Sequence, residues 1–229
     1  MSNELHIGGF VPLSTIDYPD ALAAVIFCQG CSWRCRYCHN PELLSATEPS
    51  KFQWSEILNF LKKRQGLLDA VVFSGGEPTL QKALLPAIKQ VQNLGFKIGM
   101  HTAGSNPNYL QQILPYIDWI GFDIKAIETD YSSITGNSNS GKTAWDSAIQ
   151  VIASKIQYEI RITVHPDLMS PQELVIVIKK LEQLGTQNIV LQPCRTNTIL
   201  DPTLHNALID LKPYQDILNT YGIQIHIRQ

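Results

Sequence analysis

Apolar positions along this chain fall into two alternating kinds of run. Residues 22–27, 69–73, 96–101, 117–124, 158–164 and 188–192 are short, nearly continuous apolar stretches. Each is too brief for a helix that must bury one face, so each reads as a buried strand. Between them the period lengthens. Residues 52–65 carry Trp54, Ile57, Leu58 and Leu61 at helical spacing, with Lys62, Lys63 and Arg64 near the end and Gly66 as a cap. Leu84, Ile88 and Val91 mark a second helix closed by Gly95, and residues 107–115, 145–156 and most of 202–221 read as further helices. Ser170-Pro171-Gln172-Glu173 is a helix start, with serine as cap, proline in the first turn and glutamate completing a capping box. That helix runs through Leu174, Val177, Ile178 and Leu181 to Gly185, and residues 223–228 alternate like a final strand.

Helix, glycine, strand recurs at Gly66, Gly95, Gly185 and Gly222. This is a βα repeat, which predicts parallel strands and right-handed connections. Six main strands suit an open arc better than a closed eight-stranded barrel. The expectation is one α/β domain over residues 1–229, a partial (open) β/α barrel with about six parallel strands. Polar residues gather where such folds build sites, at the C-terminal ends of strands. A cysteine-rich loop follows the first strand, Ser74-Gly75-Gly76-Glu77 the second, His101-Thr102 the third and Asp123-Ile124-Lys125 the fourth, and Gln192 lies on the sixth.

Composition narrows the partners. The chain has 229 residues, 44% of them hydrophobic, and a formal net charge of −2. That balance gives no electrostatic case for nucleic acid or a membrane surface, and no apolar run approaches a membrane span. No basic segment followed by a long apolar run opens the chain, so a cytoplasmic, reducing and oxygen-poor setting is expected.

Four of the five cysteines lie in Cys28-Gln29-Gly30-Cys31-Ser32-Trp33-Arg34-Cys35-Arg36-Tyr37-Cys38. Cysteine sulfur is the usual ligand of iron–sulfur clusters. Read from Cys31, the spacing is C-x3-C-x2-C; three thiolates on a four-iron cluster leave one iron free to bind a small molecule. Adding Cys28 gives a fourth thiolate, which can satisfy every iron or hold zinc in a non-catalytic electron-transfer or zinc module. Zinc ribbons usually separate their two cysteine pairs by about 15–20 residues. Only Ser32-Trp33-Arg34 separate them here, so spacing favours iron and sulfur.

These residues carry a family resemblance. C-x3-C-x2-C with Tyr37 before the last cysteine resembles the radical S-adenosylmethionine (SAM) enzymes. Gly8-Gly9-Phe10, Ile16-Asp17-Tyr18-Pro19, Gln29-Gly30-Cys31 and Tyr37-Cys38-His39-Asn40-Pro41-Glu42-Leu43 look like a narrower group. So do Ser74-Gly75-Gly76-Glu77-Pro78-Thr79, Gly121-Phe122-Asp123-Ile124-Lys125 and Ile134-Thr135-Gly136. That group is the activating proteins of anaerobic ribonucleoside-triphosphate reductase, within the glycyl-radical-enzyme activases. The resemblance implies a [4Fe-4S] cluster on Cys31, Cys35 and Cys38 that reductively cleaves SAM to a 5′-deoxyadenosyl radical. It further implies a glycyl-radical enzyme as partner and a flavodoxin- or ferredoxin-type reductant. A small molecule or nucleotide-derived substrate is the alternative within the same chemistry.

The resemblance also implies where SAM sits. Gly75-Gly76-Glu77-Pro78 matches the glycine-rich element beside the methionine amino group, and glycines let backbone carbonyls approach an ammonium. Asp123 and Lys125 fall near the SAM carboxylate and ribose. They share one strand face, where charges are costly unless paired or bound to something polar. Arg161 sits mid-strand between Ile160 and Ile162, and an inward guanidinium suits a carboxylate. His101-Thr102-Ala103-Gly104 stands where the family often has Asp-Thr-Asn-Gly, which removes a carboxylate from a cation site. Thr102 is kept as a cofactor contact. Related activases commonly carry threonine at position 28, so Cys28 is expected not to be a ligand. His39, His165 and His226 are read as ordinary barrel or loop residues, and Cys194 as a buried apolar one.

Overall fold

The computed structural model describes residues 4–186, 188–195, 199–204, 209–222 and 225–228. Its strands are β1 (Ile7–Ser14), β2 (Ala23–Cys28), β3 (Ala70–Gly75), β4 (Lys97–Thr102), β5 (Trp119–Ile124), β6 (Gln157–Val164), β7 (Ile189–Pro193) and β8 (His226–Ile227). They form one eight-stranded sheet in the order β1-β2-β3-β4-β5-β6-β7-β8. β2 to β8 are parallel to their neighbours, and β1 runs antiparallel to β2. Among the described residues, β1 and β8 are the two ends of the strand order and do not pair with each other, so the barrel-like sheet stays open. The helices are α1 (Trp54–Lys62), α2 (Leu84–Asn93), α3 (Pro107–Ile113), α4 (Tyr131–Thr135), α5 (Ser140–Ala153), α6 (Pro171–Gln183) and α7 (Lys212–Thr220). No described helix is long and apolar enough to cross a membrane.

The six expected strands are β2 to β7, each within two or three residues of its expected ends. β1 was not anticipated, because Gly8, Gly9 and Pro12 give it poor strand propensity. An edge strand tolerates them, since proline there interrupts no ladder on its outer side. Only residues 226–227 of the expected last strand are paired; residues 223 and 224 lie outside the described residues. Of the helix expected over 202–221, α7 is the described part, and residues 205–208 lie outside it. α5 begins five residues before the apolar pattern does, because Ser140, Gly141, Lys142 and Thr143 offer no large apolar side chain. Ser170 and Glu173 form the expected capping box at the start of α6.

Strand alternation divides the apolar residues into two sets. Ile26, Phe73, Ile98, Ile120, Ile160, Ile162 and Leu191 belong to a large cluster with the helix residues Leu61, Ile88, Leu110, Trp145, Leu174 and Leu181. Each such side chain contributes about 1.5–3 kcal/mol on burial, so this outer layer carries the fold. The second set is small: Tyr18, Ala23, Val25, Ala70, Val72 and Trp119. Gly99 belongs to this packing, because a Cβ there would lie 2.8 Å from the Tyr18 ring. Above this plug the strand ends carry polar residues, and the site lies there.

Candidate active site

The cysteine loop leaves β2 and is held by backbone hydrogen bonds together with the side chains of Gln29, Arg34 and Arg36. Gly30 N–H donates to the Leu43 carbonyl (2.7 Å) and Cys31 N–H to that of Leu44 (3.1 Å). The buried Gln29 carboxamide donates to the carbonyls of Glu42 (2.9 Å) and Ser45 (2.8 Å). Gly8 leaves room for it, because a Cβ there would sit 2.2 Å from Gln29 Oε1. Further along, Arg34 and Arg36 N–H groups donate to the carbonyls of Thr135 (2.8 Å) and Ile134 (2.9 Å). Leu200 N–H reaches the Cys38 carbonyl (3.1 Å), and the Arg36 guanidinium meets the Asp201 carboxylate at 2.7 Å. The scattered stretches Gly8-Gly9-Phe10, Gln29-Gly30, Pro41-Glu42-Leu43 and Ile134-Thr135-Gly136 therefore converge on one loop.

The two-glycine turn at the end of β3 closes against this loop. Gly75 has φ +107°, and a Cβ on it would lie 2.5 Å from the Cys28 nitrogen. One on Gly76 would lie 2.4 Å from the Gly30 carbonyl oxygen. Side chains are excluded here because two backbones touch, and Glu77 N–H donates to that same Gly30 oxygen (3.0 Å). The buried Glu77 carboxylate accepts from Thr79 N–H (3.0 Å), Thr79 Oγ1 (2.6 Å), Thr102 Oγ1 (2.6 Å) and Ala103 N–H (3.0 Å). Glu77 and Thr102 thus reach the cavity wall with their polar atoms given to one another and to the backbone. Pro78 is buried and opens a short 3-10 turn behind that wall.

The opposite wall is charged. Asp123 on β5 and Arg161 on β6 are register partners, with Arg161 Nε 2.8 Å from Asp123 Oδ1 and Lys125 Nζ 3.8 Å from Asp123 Oδ2. Gly121 makes room for the guanidinium, since a Cβ there would lie 2.7 Å from Arg161 Nη1. Burial pushes the Asp123 carboxyl up, but Arg161 and Lys125 outweigh it and hold it below the usual carboxylate range. Burial works against the Lys125 charge; Tyr37, Cys35 and Asp123 raise it above its ordinary value, so it stays an ammonium. That ammonium lies 5.4 Å from the Tyr37 ring centroid. His101 Nε2 lies 2.9 Å from the Asp17 carbonyl, which can only accept, so Nε2 carries the proton. Burial and Arg161 push His101 down to about 3, leaving a neutral imidazole where the resembling family often has a carboxylate.

Cys31, Cys35, Cys38, Gly75, Gly76, Glu77, Thr102, Asp123, Lys125 and Arg161 all line one cavity of about 220 Å³. Among the described residues, Pro78 is the expected site residue that does not line it. His39, read as an ordinary loop residue, does line it, as do Trp33, Ser74, Thr163 and Gln192. Buried His165, exposed His226 and buried Cys194 lie away from it. Cys28 is fully buried in the outer core with Ala24 and Ile26, on the other face of β2, and is not part of the wall.

The wall suits a cluster on three thiols. Burial pushes all three thiols up, Cys31 to about 12, so their thiolate forms need a cation such as the iron of a cluster. Trp33 N–H already points at Cys31 Sγ (3.4 Å). Among the described residues, no three His, Cys, Asp or Glu side chains gather closely enough for a single metal ion. The buried Tyr37 hydroxyl has no hydrogen-bond partner among the described residues and belongs to a residue of the cavity wall.

An open parallel βα sheet with three thiols on its first βα loop and a two-glycine turn beside them defines a class of iron–sulfur enzyme. The Radical SAM superfamily model matches residues 25–168, from β2 to beyond β6, and the chain belongs to that superfamily, which uses a [4Fe-4S] cluster and SAM. Relatives named as activating enzymes are among those the chain matches. A Methanocaldococcus jannaschii protein named for glycyl-radical enzyme activation is 30% identical over 183 residues, covering 77% of this chain and 75% of its own. The pyruvate formate-lyase-activating enzyme of Clostridium pasteurianum is 30% identical over 194 residues, covering 80% and 79%. Among solved structures, Streptococcus suis SuiB bound to S-adenosylmethionine superposes with a TM-score of 0.65 at 12% identity. That match covers 87% of this chain and 48% of SuiB, so the chain spans about half of that structure and the likeness is one of fold.

Proposed function

We propose that this protein is a glycyl-radical-enzyme activase whose partner is anaerobic ribonucleoside-triphosphate reductase. One observation carries the reading: three thiols, a two-glycine turn and an Asp–Arg–Lys wall face a single cavity at the strand ends of an open barrel. The names of the relatives support an activase, and the motifs from Gly8 to Gly136 support the choice of partner. Cys31, Cys35 and Cys38 would hold a [4Fe-4S] cluster, which when reduced and bound to SAM would supply a 5′-deoxyadenosyl radical able to take a hydrogen atom from a glycine. The residues of this chain bind and orient. The Gly75-Gly76 backbone would accept from the SAM ammonium, Lys125 and Arg161 would neutralise its carboxylate, and Asp123 would take a ribose hydroxyl. Glu77 and Thr102 hold the turn in place, and Tyr37, Trp33 and Leu44 keep water from the reacting atoms. Electrons come from a flavodoxin- or ferredoxin-type protein.

The test mixes reconstituted, reduced protein with SAM and anaerobic ribonucleotide reductase. The expected result is a glycyl-radical signal on the reductase by electron paramagnetic resonance, with 5′-deoxyadenosine formed alongside. Release of 5′-deoxyadenosine with no radical on any glycyl-radical enzyme would move the activity to a small-molecule substrate.

A further inference from the structure

We propose that Thr163 and Gln192 together form a receptor for a ligand edge carrying a hydrogen-bond donor beside an acceptor. Two ligands of the proposed reaction present such an edge, so the identity of the ligand rests on that reading. One is the polypeptide backbone around the target glycine; the other is the adenine of SAM, whose N6 amino group adjoins the N7 acceptor.

Thr163 on β6 and Gln192 on β7 are register partners in neighbouring parallel strands, and both line the cavity. Gln192 Nε2 lies 2.9 Å from Thr163 Oγ1. A hydroxyl has one hydrogen to donate and two lone pairs; a carboxamide has two donor hydrogens and one acceptor oxygen. With Gln192 donating, the hydroxyl hydrogen of Thr163 must point elsewhere, and Gln192 Oε1 has no hydrogen-bond partner among the described residues. With the carboxamide turned over, the hydroxyl donates to Oε1, leaving a carboxamide N–H and a hydroxyl lone pair. Either way the pair offers at least one donor and one acceptor, on neighbouring side chains.

The neighbouring wall residues are paired with one another, Asp123 with Arg161 and Glu77 with Thr102, and in the proposed function Asp123 and Arg161 are further assigned to SAM. A ligand covering Thr163 and Gln192 without matching them would strand both groups away from water, so the pair selects a complementary edge.

The experiment uses reconstituted holoprotein carrying Thr163→Val or Gln192→Leu, with Thr163→Ser as the conservative control. Two quantities are read: the dissociation constant of SAM without partner, and the KM of the reductase in the glycyl-radical assay. Each substitution should weaken one or both by roughly tenfold to a hundredfold, the range for losing a hydrogen bond to a group left buried. Thr163→Ser should restore the wild-type value. Weaker SAM binding assigns the edge to adenine, and a raised KM assigns it to the polypeptide. Thermal melting checks folding, and if Gln192→Leu does not fold, Gln192→Met of similar length replaces it. Folded variants with both quantities unchanged, or Thr163→Ser behaving like Thr163→Val, would overturn the proposal. Absence of a glycyl radical with the wild-type protein would instead count against the activase reading, and the SAM measurement would still decide whether the receptor exists.

Discussion

The two sides of the cavity are held by opposite means. The cysteine loop is fixed by backbone hydrogen bonds to residues 43–44, 134–135 and 200–201 and by backbone contact with Gly75 and Gly76. The β5–β6 wall is fixed by side-chain charge, with Asp123 between Arg161 and Lys125. The first arrangement tolerates most side-chain changes but no Cβ where two backbones meet. The second is open to a single substitution and to acid. A cluster needs its thiols held in fixed positions, whereas a charged ligand needs a wall that can exchange partners.

The largest effect should come from the thiols. Ala at Cys31, Cys35 or Cys38 should abolish cluster assembly, read as loss of iron, sulfide and visible absorption after anaerobic reconstitution. Cys28→Thr should keep the cluster, because that side chain faces the outer core. Gly76→Ala comes next. Its new methyl meets a backbone oxygen, so the loop must move, at a cost of about 3 kcal/mol in urea unfolding of the apo protein.

On the charged wall, Asp123→Asn should cost about 1–2 kcal/mol near neutral pH. This is less than the 3–5 kcal/mol of a fully buried pair, because about a third of the carboxylate side chain is exposed. The pH dependence gives a sign. The folded-state value lies below the unfolded one of about 3.9, so the contribution is present above that pH and lost as pH falls further. Melting curves of wild type and variant should therefore converge below about pH 4. The smallest change is Thr135→Val, which removes the buried hydroxyl's bonds to the Tyr131 carbonyl and Ser140 under the loop. It should cost about 1 kcal/mol and leave the cluster content unaltered.

What could be read from sequence follows the same division. The three thiols and Gly75-Gly76 are contiguous motifs, so spacing revealed them. The Asp123–Arg161 pair depends on the register between two strands, which no local pattern encodes. From sequence, Asp123 reads as an ion-pair partner or a cofactor contact, and its position does not make these exclusive, since it bonds Arg161 and still faces the cavity. Cys28 could have been placed by alternation, because Ala24, Ile26 and Cys28 share one face of β2 while Ala23 and Val25 take the other. The same period marks Glu159, Arg161 and Thr163 as the polar face of β6, a signal that only Arg161 was credited with. β1 is not legible as a strand because Gly8 is there for the neighbouring Gln29 side chain rather than for strand propensity.

The central claim is that three thiols leave one position of the cluster open to SAM in the cavity they share with Gly75, Asp123 and Lys125. Electron paramagnetic resonance of the reduced, reconstituted protein, recorded with and without SAM, tests it most directly. The cluster signal should shift its g values when SAM is added, in the wild type and in Cys28→Thr alike. A four-iron signal that SAM leaves unchanged would contradict that claim, and would make the loop a closed electron carrier.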